Sequence, residues 1–337
     1  SYSIGDKTEG VNGSCSPKDL ETMLQLTYLT FTAPRRDDDA FASYKNRSKA
    51  SLQNQELNPS VAFGDSIQAT VYNHHPRAIR MKADMIDQID YDKLMEMYKD
   101  RYKDASDFTF ILVGNIDIEK DKELIAEYLG ALPAINRKET FKDTKMEMRK
   151  GTYKNEFIRQ QETPKASVLV LYNGKCKYDQ KNNLLMSMTS QILDLIYTEK
   201  VREDEGGTYG VYVGGNLAKY PKENAFLQII FETAPEKKDK LMEIIFAEAA
   251  NLAKNGPSEA NLNKVKEYML KKHKEDLKEN SYWLGNIDEY LFTGVDMMKD
   301  YENMVNSITT KDIQKFADEL LKQKNEVEVT MVSPEKK

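Results

Sequence analysis

Hydrolytic, nucleophilic and phosphate chemistry each require particular side chains at particular spacings, and most of those requirements go unmet in this chain of 337 residues. A catalytic zinc takes about three protein ligands and leaves one position open, commonly two histidines on one helical face plus a carboxylate. The chain has three histidines. His74 and His75 are adjacent, so they point in different directions, and the following Pro76 makes the segment a loop. His273 sits within Lys271-Lys272-His273-Lys274-Glu275, which reads as a solvated face. No His-x-x-His, His-x-x-x-His or His-x-x-Glu-His occurs. There is no Gly-x-Ser-x-Gly elbow, and neither Cys15 nor Cys176 lies beside a histidine. Triads do assemble from distant positions, so that reading concerns local motifs only. Gly206-Gly207 and Gly214-Gly215 lack the glycine spacing and the lysine of a phosphate loop.

One segment stands out: Glu199-Lys200-Val201-Arg202-Glu203-Asp204-Glu205-Gly206-Gly207-Thr208-Tyr209-Gly210-Val211. A helix ends in charge, a Gly-Gly turn follows, and a strand starts with a tyrosine flanked by small residues. Two readings are open. In the first, this is a helix–turn–strand corner whose Arg202 pairs with Glu203 or Glu205. In the second, Arg202 and Tyr209 converge as donors on a peptide carbonyl or oxyanion, which is the electrostatic contribution a hydrolase needs. The small neighbours would let another backbone approach the Tyr209 hydroxyl closely.

Composition narrows the partners. The net charge of −6 comes from interspersed acids and bases, with no long basic run to neutralise phosphates, so nucleic acid is not expected. No stretch is apolar for long enough to span a bilayer, and residues 1–10 lack a basic and then apolar leader pattern, so membrane insertion is not expected. Two cysteines without a CxxC indicate neither a disulfide framework nor a thiolate metal site.

The elements around the corner repeat. Ile89-Asp90-Tyr91-Asp92-Lys93-Leu94 opens a helix leading into a strand-like run, Phe108-Thr109-Phe110-Ile111-Leu112-Val113. The same order returns 219 residues later as Ile308-Thr309-Thr310-Lys311-Asp312-Ile313 and Val327-Glu328-Val329-Thr330-Met331-Val332 (308 against 89, 327 against 108). Helices beginning near Ser16-Pro17 and Glu236 are each stopped by a proline segment, Ala33-Pro34 or Gly256-Pro257, before a second helix starts. Tyr2-Ser3-Ile4 answers the strand Phe226–Phe231. The expected fold is α+β: two homologous units, 1–140 and 150–337, each an antiparallel-rich sheet covered by helices. The first is expected to be truncated at its N-terminus, because the second copy has some 75 residues ahead of the element matching residues 2–4. The second unit reads as strands at 153–158 and 167–172, a helix over 182–201, strands at 207–218 and 225–232, three helices and a closing strand. The segment Asn280-Ser281-Tyr282-Trp283-Leu284 reads as a packing anchor.

In order, these motifs resemble the C-terminal half of pitrilysin/insulinase-family zinc metallopeptidases. Arg202 through Val211 is similar to that family's Arg/Tyr motif, with the seven-residue step intact. Further likenesses to its long single-chain bacterial members are Phe31-Thr32-Ala33-Pro34-Arg35, Phe108 through Asp117, Tyr128-Leu129-Gly130-Ala131-Leu132-Pro133 and Glu279 through Trp283. The resemblance covers essentially the whole chain. It implies four α/β units in a complete protein, with the zinc held by a first unit that lies outside this chain and no metal bound here. It also implies two halves that close around a peptide or unfolded polypeptide, with Arg202 and Tyr209 contacting the substrate carbonyl near the scissile bond. The partners so implied are that substrate and the N-terminal half of the same protein, and the expected compartment is the periplasm. The competing readings are a non-catalytic binding or scaffold subunit of a pitrilysin-like heteromer, and an unrelated α+β enzyme whose pocket lies elsewhere.

Overall fold

A computed structural model of the chain describes residues 1–204 and 210–333, the side chains of 202–204 excepted. In chain order, β1 (Tyr2–Ile4) and β2 (Glu9–Val11) precede α1 (Leu20–Thr32), α2 (Asp38–Glu56), α3 (Pro59–Val71), α4 (Tyr91–Tyr102) and α5 (Ile118–Leu129). There follow β3 (Thr152–Ile158), β4 (Lys165–Gly174), α6 (Gln180–Tyr197), β5 (Val211–Ala218) and β6 (Asn224–Thr233). The chain continues through α7 (Lys238–Asn255), α8 (Glu259–Asp276), α9 (Asn280–Thr293), α10 (Tyr301–Ser307) and α11 (Thr310–Leu321) to β7 (Glu326–Ser333). These elements form two compact units, residues 1–55 with 81–144, and residues 56–80 with 145–337.

The second unit is organised by β4. Its run Ala166-Ser167-Val168-Leu169-Val170-Leu171-Tyr172 is buried throughout, the pattern of a strand covered on both faces. The sheet order is β3-β7-β4-β6-β5, so β4 lies at the centre. Three of the four pairings are antiparallel and β3 runs parallel to β7. Val168, Val170 and Tyr172 face the core under α6, α7, α8 and α11. Leu169 and Leu171, with Val327, Val329 and Met331 of β7, face Phe63 and Val71 of α3. The sequence reading placed residues 59–71 in the first unit, but α3 covers the second unit's sheet. Asn155 of β3 fixes it there, its side-chain nitrogen 2.9 Å from the hydroxyls of Ser66 and Thr70.

Local signals set the ends of these helices. Asp179 caps α6 by accepting from the Asn182 backbone N–H at 2.9 Å, and Thr309 with Asp312 forms a capping box on α11. Five helices separate β6 from β7, where the pattern suggested three. Gly294, with φ of 71°, ends α9 in the left-handed region, and a short turn then resets the direction for α10.

The first unit is built on aromatic rings. Phe31 of α1 meets Tyr102 and Phe108 edge to face at centroid distances of 5.4 and 4.9 Å. The Tyr102 hydroxyl lies 2.9 Å from the carbonyl oxygens of Ser3 and Gly10, which ties the β1–β2 ribbon to α4. The repeat is visible in the helices: α4 and α11 each span twelve residues and start 219 apart (91 and 310). The strand expected at 108–113 forms no ladder among the described residues. Phe108 and Phe110 still turn to the same side, onto Phe31, so the period of two survives without strand partners.

Asp104 is fully buried and accepts backbone N–H groups from Ser106, Ile135 and Arg137 at 3.0, 2.9 and 2.6 Å. Burial alone would raise its pKa, but the Ser106 side chain and these three N–H groups together hold the carboxyl well below the usual carboxylate range. A folded pKa below the unfolded value means a stabilisation that is whole above about pH 4 and is lost as the pH falls toward the folded value. Thermal midpoints of wild type and Asp104→Asn should therefore differ most near neutral pH and converge at low pH. In the second unit, Leu169→Ala should cost about 2–5 kcal/mol in urea unfolding, because it removes a side chain buried at the sheet's centre.

Candidate functional site

Both ends of the corner between α6 and β5 are fixed in the core. α6 buries Leu185, Met188 and Ile192 along one stripe and Tyr197 at its end. Its end is held by the Tyr197 hydroxyl, which donates to the Ile245 carbonyl of α7 at 2.9 Å, and by Val201, which is fully buried. Lys200 adds an ion pair to Glu248 of α7. From Thr198 to Asp204 the backbone winds as a π-helix, a wider turn that recurs at functional sites. On the far side, Val211 and Val213 of β5 are buried in the same core. Arg202 is thus carried on the π-helical backbone directly after a buried anchor, and the chain re-enters the sheet at a second anchor at residue 211. The Arg202 side chain and the whole of Tyr209 lie outside the described residues.

Close packing of two glycines shapes the strand that leaves the corner. A Cβ on Gly215 would collide with the Met186 sulfur, so this glycine lets α6 lie close on β5. A Cβ on Gly214 would come within 2.6 Å of the Tyr212 hydroxyl, because that ring lies along the strand on the opposite face. On that face α3 covers the β3, β7 and β4 side of the sheet. Tyr212 is 59% exposed and Asn216 is exposed, so the β5 end stands open among the described residues.

Sequence reasoning missed the polar group at the corner end of this open face. Val211 is paired with Phe231, which sets Glu232 at the start of β5. Its carboxylate receives the Lys165 ammonium at 2.9 Å and the Ser167 hydroxyl at 2.8 Å. Against the effect of burial, these two donors hold its pKa below the ordinary range, so Glu232 stays ionised at neutral pH. The register that joins Lys165, Ser167 and Glu232 pairs residues 65 or more apart in sequence, and no local motif announces it.

The other chemically capable residues do not gather. His273 is buried, not solvated as its charged neighbours suggested. With Leu262, Val265 and Met269 it continues the buried stripe of α8, stacks on Tyr301 at 4.2 Å, and has Nδ1 2.9 Å from the Tyr282 hydroxyl. Tyr282 is therefore the anchor of its segment, whereas Trp283 is 39% exposed and donates its indole N–H to the Leu277 carbonyl at 2.9 Å. Among the described residues no group of three or more His, Cys, Asp and Glu side chains could hold a metal ion. A cleft of about 300 Å³ lies between β3, β7 and the start of α7, but most of its charges are paired with one another. There Lys154 pairs with Glu328 and Lys238 with Glu156, each at 2.7 Å.

Comparison with known proteins agrees with this fold. The sequence profile described as "Peptidase M16 inactive domain" matches residues 88–269. A "Zinc protease PQQL-like" protein of Arabidopsis thaliana is 25% identical over 293 residues, covering 80% of this chain and 30% of the relative. A "Probable zinc protease PqqL" of Haemophilus influenzae is 21% identical over 335 residues, covering 95% of this chain and 34% of the relative. The crystal structure of the periplasmic protease PqqL from Escherichia coli superposes with a TM-score of 0.80 at 17% identity, over 94% of this chain and 35% of that one. The chain spans about a third of the length of these relatives.

The packing of the corner gives a direct check. Gly215→Ala should destabilise the second unit by about 1–3 kcal/mol through overpacking against Met186. Met186→Ala in the same chain should return part of that loss, read as a positive coupling in a double-mutant cycle.

Proposed function

This chain belongs to the peptidase M16 inactive-domain family, and from that premise we propose that it forms the substrate-clamping half of a zinc endopeptidase acting on peptides or unfolded polypeptides. The observation that carries the reading is the Arg202–Tyr209 step laid across a corner whose two ends are anchored by Val201 and Val211. A guanidinium and a phenol can both donate to a developing oxyanion without themselves reacting. In this reading Arg202 and Tyr209 donate to the substrate carbonyl beside the scissile bond.

The hydrolytic metal belongs, in the same reading, to another part of the full-length protein. The described residues of this chain do not fit a zinc site. Zinc bound in that other part would supply Lewis-acid chemistry. Support for a zinc-dependent parent comes from the relatives, which are named zinc proteases. Support for a periplasmic parent comes from the periplasmic PqqL structure. No helix of the described residues is long and apolar enough to cross a membrane.

The test is peptide hydrolysis by this chain combined with the zinc-bearing part of its protein, run beside Arg202→Ala and Tyr209→Phe. Each variant should lose on the order of tenfold to a thousandfold in kcat, with peptide affinity less affected. If both match wild type while the combination is active, the two residues are structural. The chain is then a binding or scaffold module, as the name of its family would also allow.

A further inference from the structure

The chain contains three Asn-Gly pairs, Asn12-Gly13, Asn173-Gly174 and Asn255-Gly256. Such a pair has a chemistry of its own. Glycine has no side chain to shield its backbone nitrogen, and that nitrogen can close a five-membered ring on the side-chain carbonyl of the asparagine before it. Ring closure needs a Gly N–H that is not donated elsewhere, a side-chain amide free to turn, and a backbone not held in a helix or a ladder. The dipeptide is the same at all three places, so their surroundings in the fold separate them.

At Asn173-Gly174 these requirements are denied. Asn173 is buried, its backbone N–H donates to the Asn325 carbonyl at 3.1 Å, and its side chain donates to the Arg149 carbonyl at 3.1 Å. Both residues lie in the β4–β6 ladder, opposite Phe226 and Ala225. At Asn255-Gly256 the attacking atom is occupied. The Gly256 N–H donates to the Leu252 carbonyl at 2.9 Å as the cap of α7, and the Asn255 side chain donates to the Asn251 side-chain oxygen at 2.7 Å. Gly256 is also packed against the start of α11, where an added Cβ would come within 3.0 Å of the Thr310 carbonyl oxygen.

Asn12-Gly13 differs in each respect. The pair directly follows β2, is exposed, and belongs to no helix or strand. Among the described residues neither the Asn12 side chain nor the Gly13 N–H has a hydrogen-bond partner. What holds the pair is Ser1, whose carbonyl accepts the Asn12 backbone N–H and whose nitrogen donates to the Asn12 carbonyl, each at 2.8 Å. These bonds close the end of a ribbon of two three-residue strands, and the ends of such ribbons open at little cost.

We propose that Asn12 is a site of spontaneous deamidation. The Gly13 nitrogen loses its proton and bonds to the side-chain carbonyl carbon of Asn12, the amide carbon–nitrogen bond breaks, and ammonia leaves with a proton, giving a cyclic imide. Water then adds to either imide carbonyl and opens the ring to aspartate or to isoaspartate. The chain gains one negative charge. In the isoaspartate product the backbone is also one methylene longer immediately after β2, whose Gly10 carbonyl accepts the Tyr102 hydroxyl that ties the ribbon to α4. The reaction goes beyond the clamping role and does not depend on it.

The experiment incubates the full 337-residue chain at mildly alkaline pH in water enriched in heavy oxygen and follows each pair by mass spectrometry of its peptides. One labelled oxygen enters per event, and an isoaspartate-specific methyltransferase marks the rearranged product. In the native chain Asn12 should convert at least about tenfold faster than Asn173 or Asn255, whose reaction waits for local or global opening. In guanidinium chloride, where no fold protects them, the three rates should agree within about threefold. Gly13→Val, whose branched side chain shields the nitrogen, should slow Asn12 at least about tenfold and leave the other two rates unchanged. Far-UV circular dichroism checks the fold of the variant, and the comparison of native with denatured chain needs no variant at all.

A native chain in which Asn12 converts no faster than Asn173 or Asn255 overturns the proposal, as does conversion at Asn12 that Gly13→Val leaves unchanged. So does an Asn12 that reacts only after denaturation, because the pairing with Ser1 then protects it.

Discussion

A strand whose successive side chains are almost all apolar must be covered on both faces, and β4 imposes that requirement on the second unit. Everything around it follows from meeting the requirement twice. On one face α6, α7, α8 and α11 supply a core that includes Ile192, Tyr197, Ile245 and Ile313. On the other, α3 lies over Leu169 and Leu171 together with the apolar side of β7. Because the second cover comes from residues 59–71, an element far away in sequence completes the sheet that carries the corner.

The same arrangement fixes the two described ends of the corner, Val201 and Val211, both in the core built on β4. The π-helical turn before residue 204 and the close contact of Gly215 with Met186 are local departures from regular geometry, each next to a buried anchor. The uncharged edge and the open face of β5 begin where α3 no longer covers the sheet. The ionised Glu232, held by Lys165 and Ser167, marks the corner end of that open face.

Some of this was legible in the sequence and some was not. The repeat was legible because helix starts are written locally, in prolines, acids and caps, and α4 and α11 fall 219 residues apart as read (91 and 310). The strand expected at 108–113 was not, because apolar alternation specifies a face, whereas a ladder also needs a neighbour with free N–H and C=O groups. His273 was misread from its lysine neighbours, although its spacing from Leu262, Val265 and Met269 carried the correct signal. The segment Asn280–Leu284 was read as a packing anchor without saying which ring does the anchoring, and it is Tyr282 that has the direction needed to reach His273.

By resemblance the sequence indicated the family; by itself it determined the α+β class, the starts of α4 and α11, and the seven-residue step from Arg202 to Tyr209. These depend on periodicity, capping and spacing, all of which act between residues close in the chain. Only the tertiary structure decided which strands form the edges, that α3 covers the second unit, and that Lys165, Ser167 and Glu232 meet. The physical reason is that pairing across a sheet joins residues through backbone hydrogen bonds that are the same for every side chain. Register and strand order are therefore fixed by how whole faces are buried, and no short stretch of sequence contains that information.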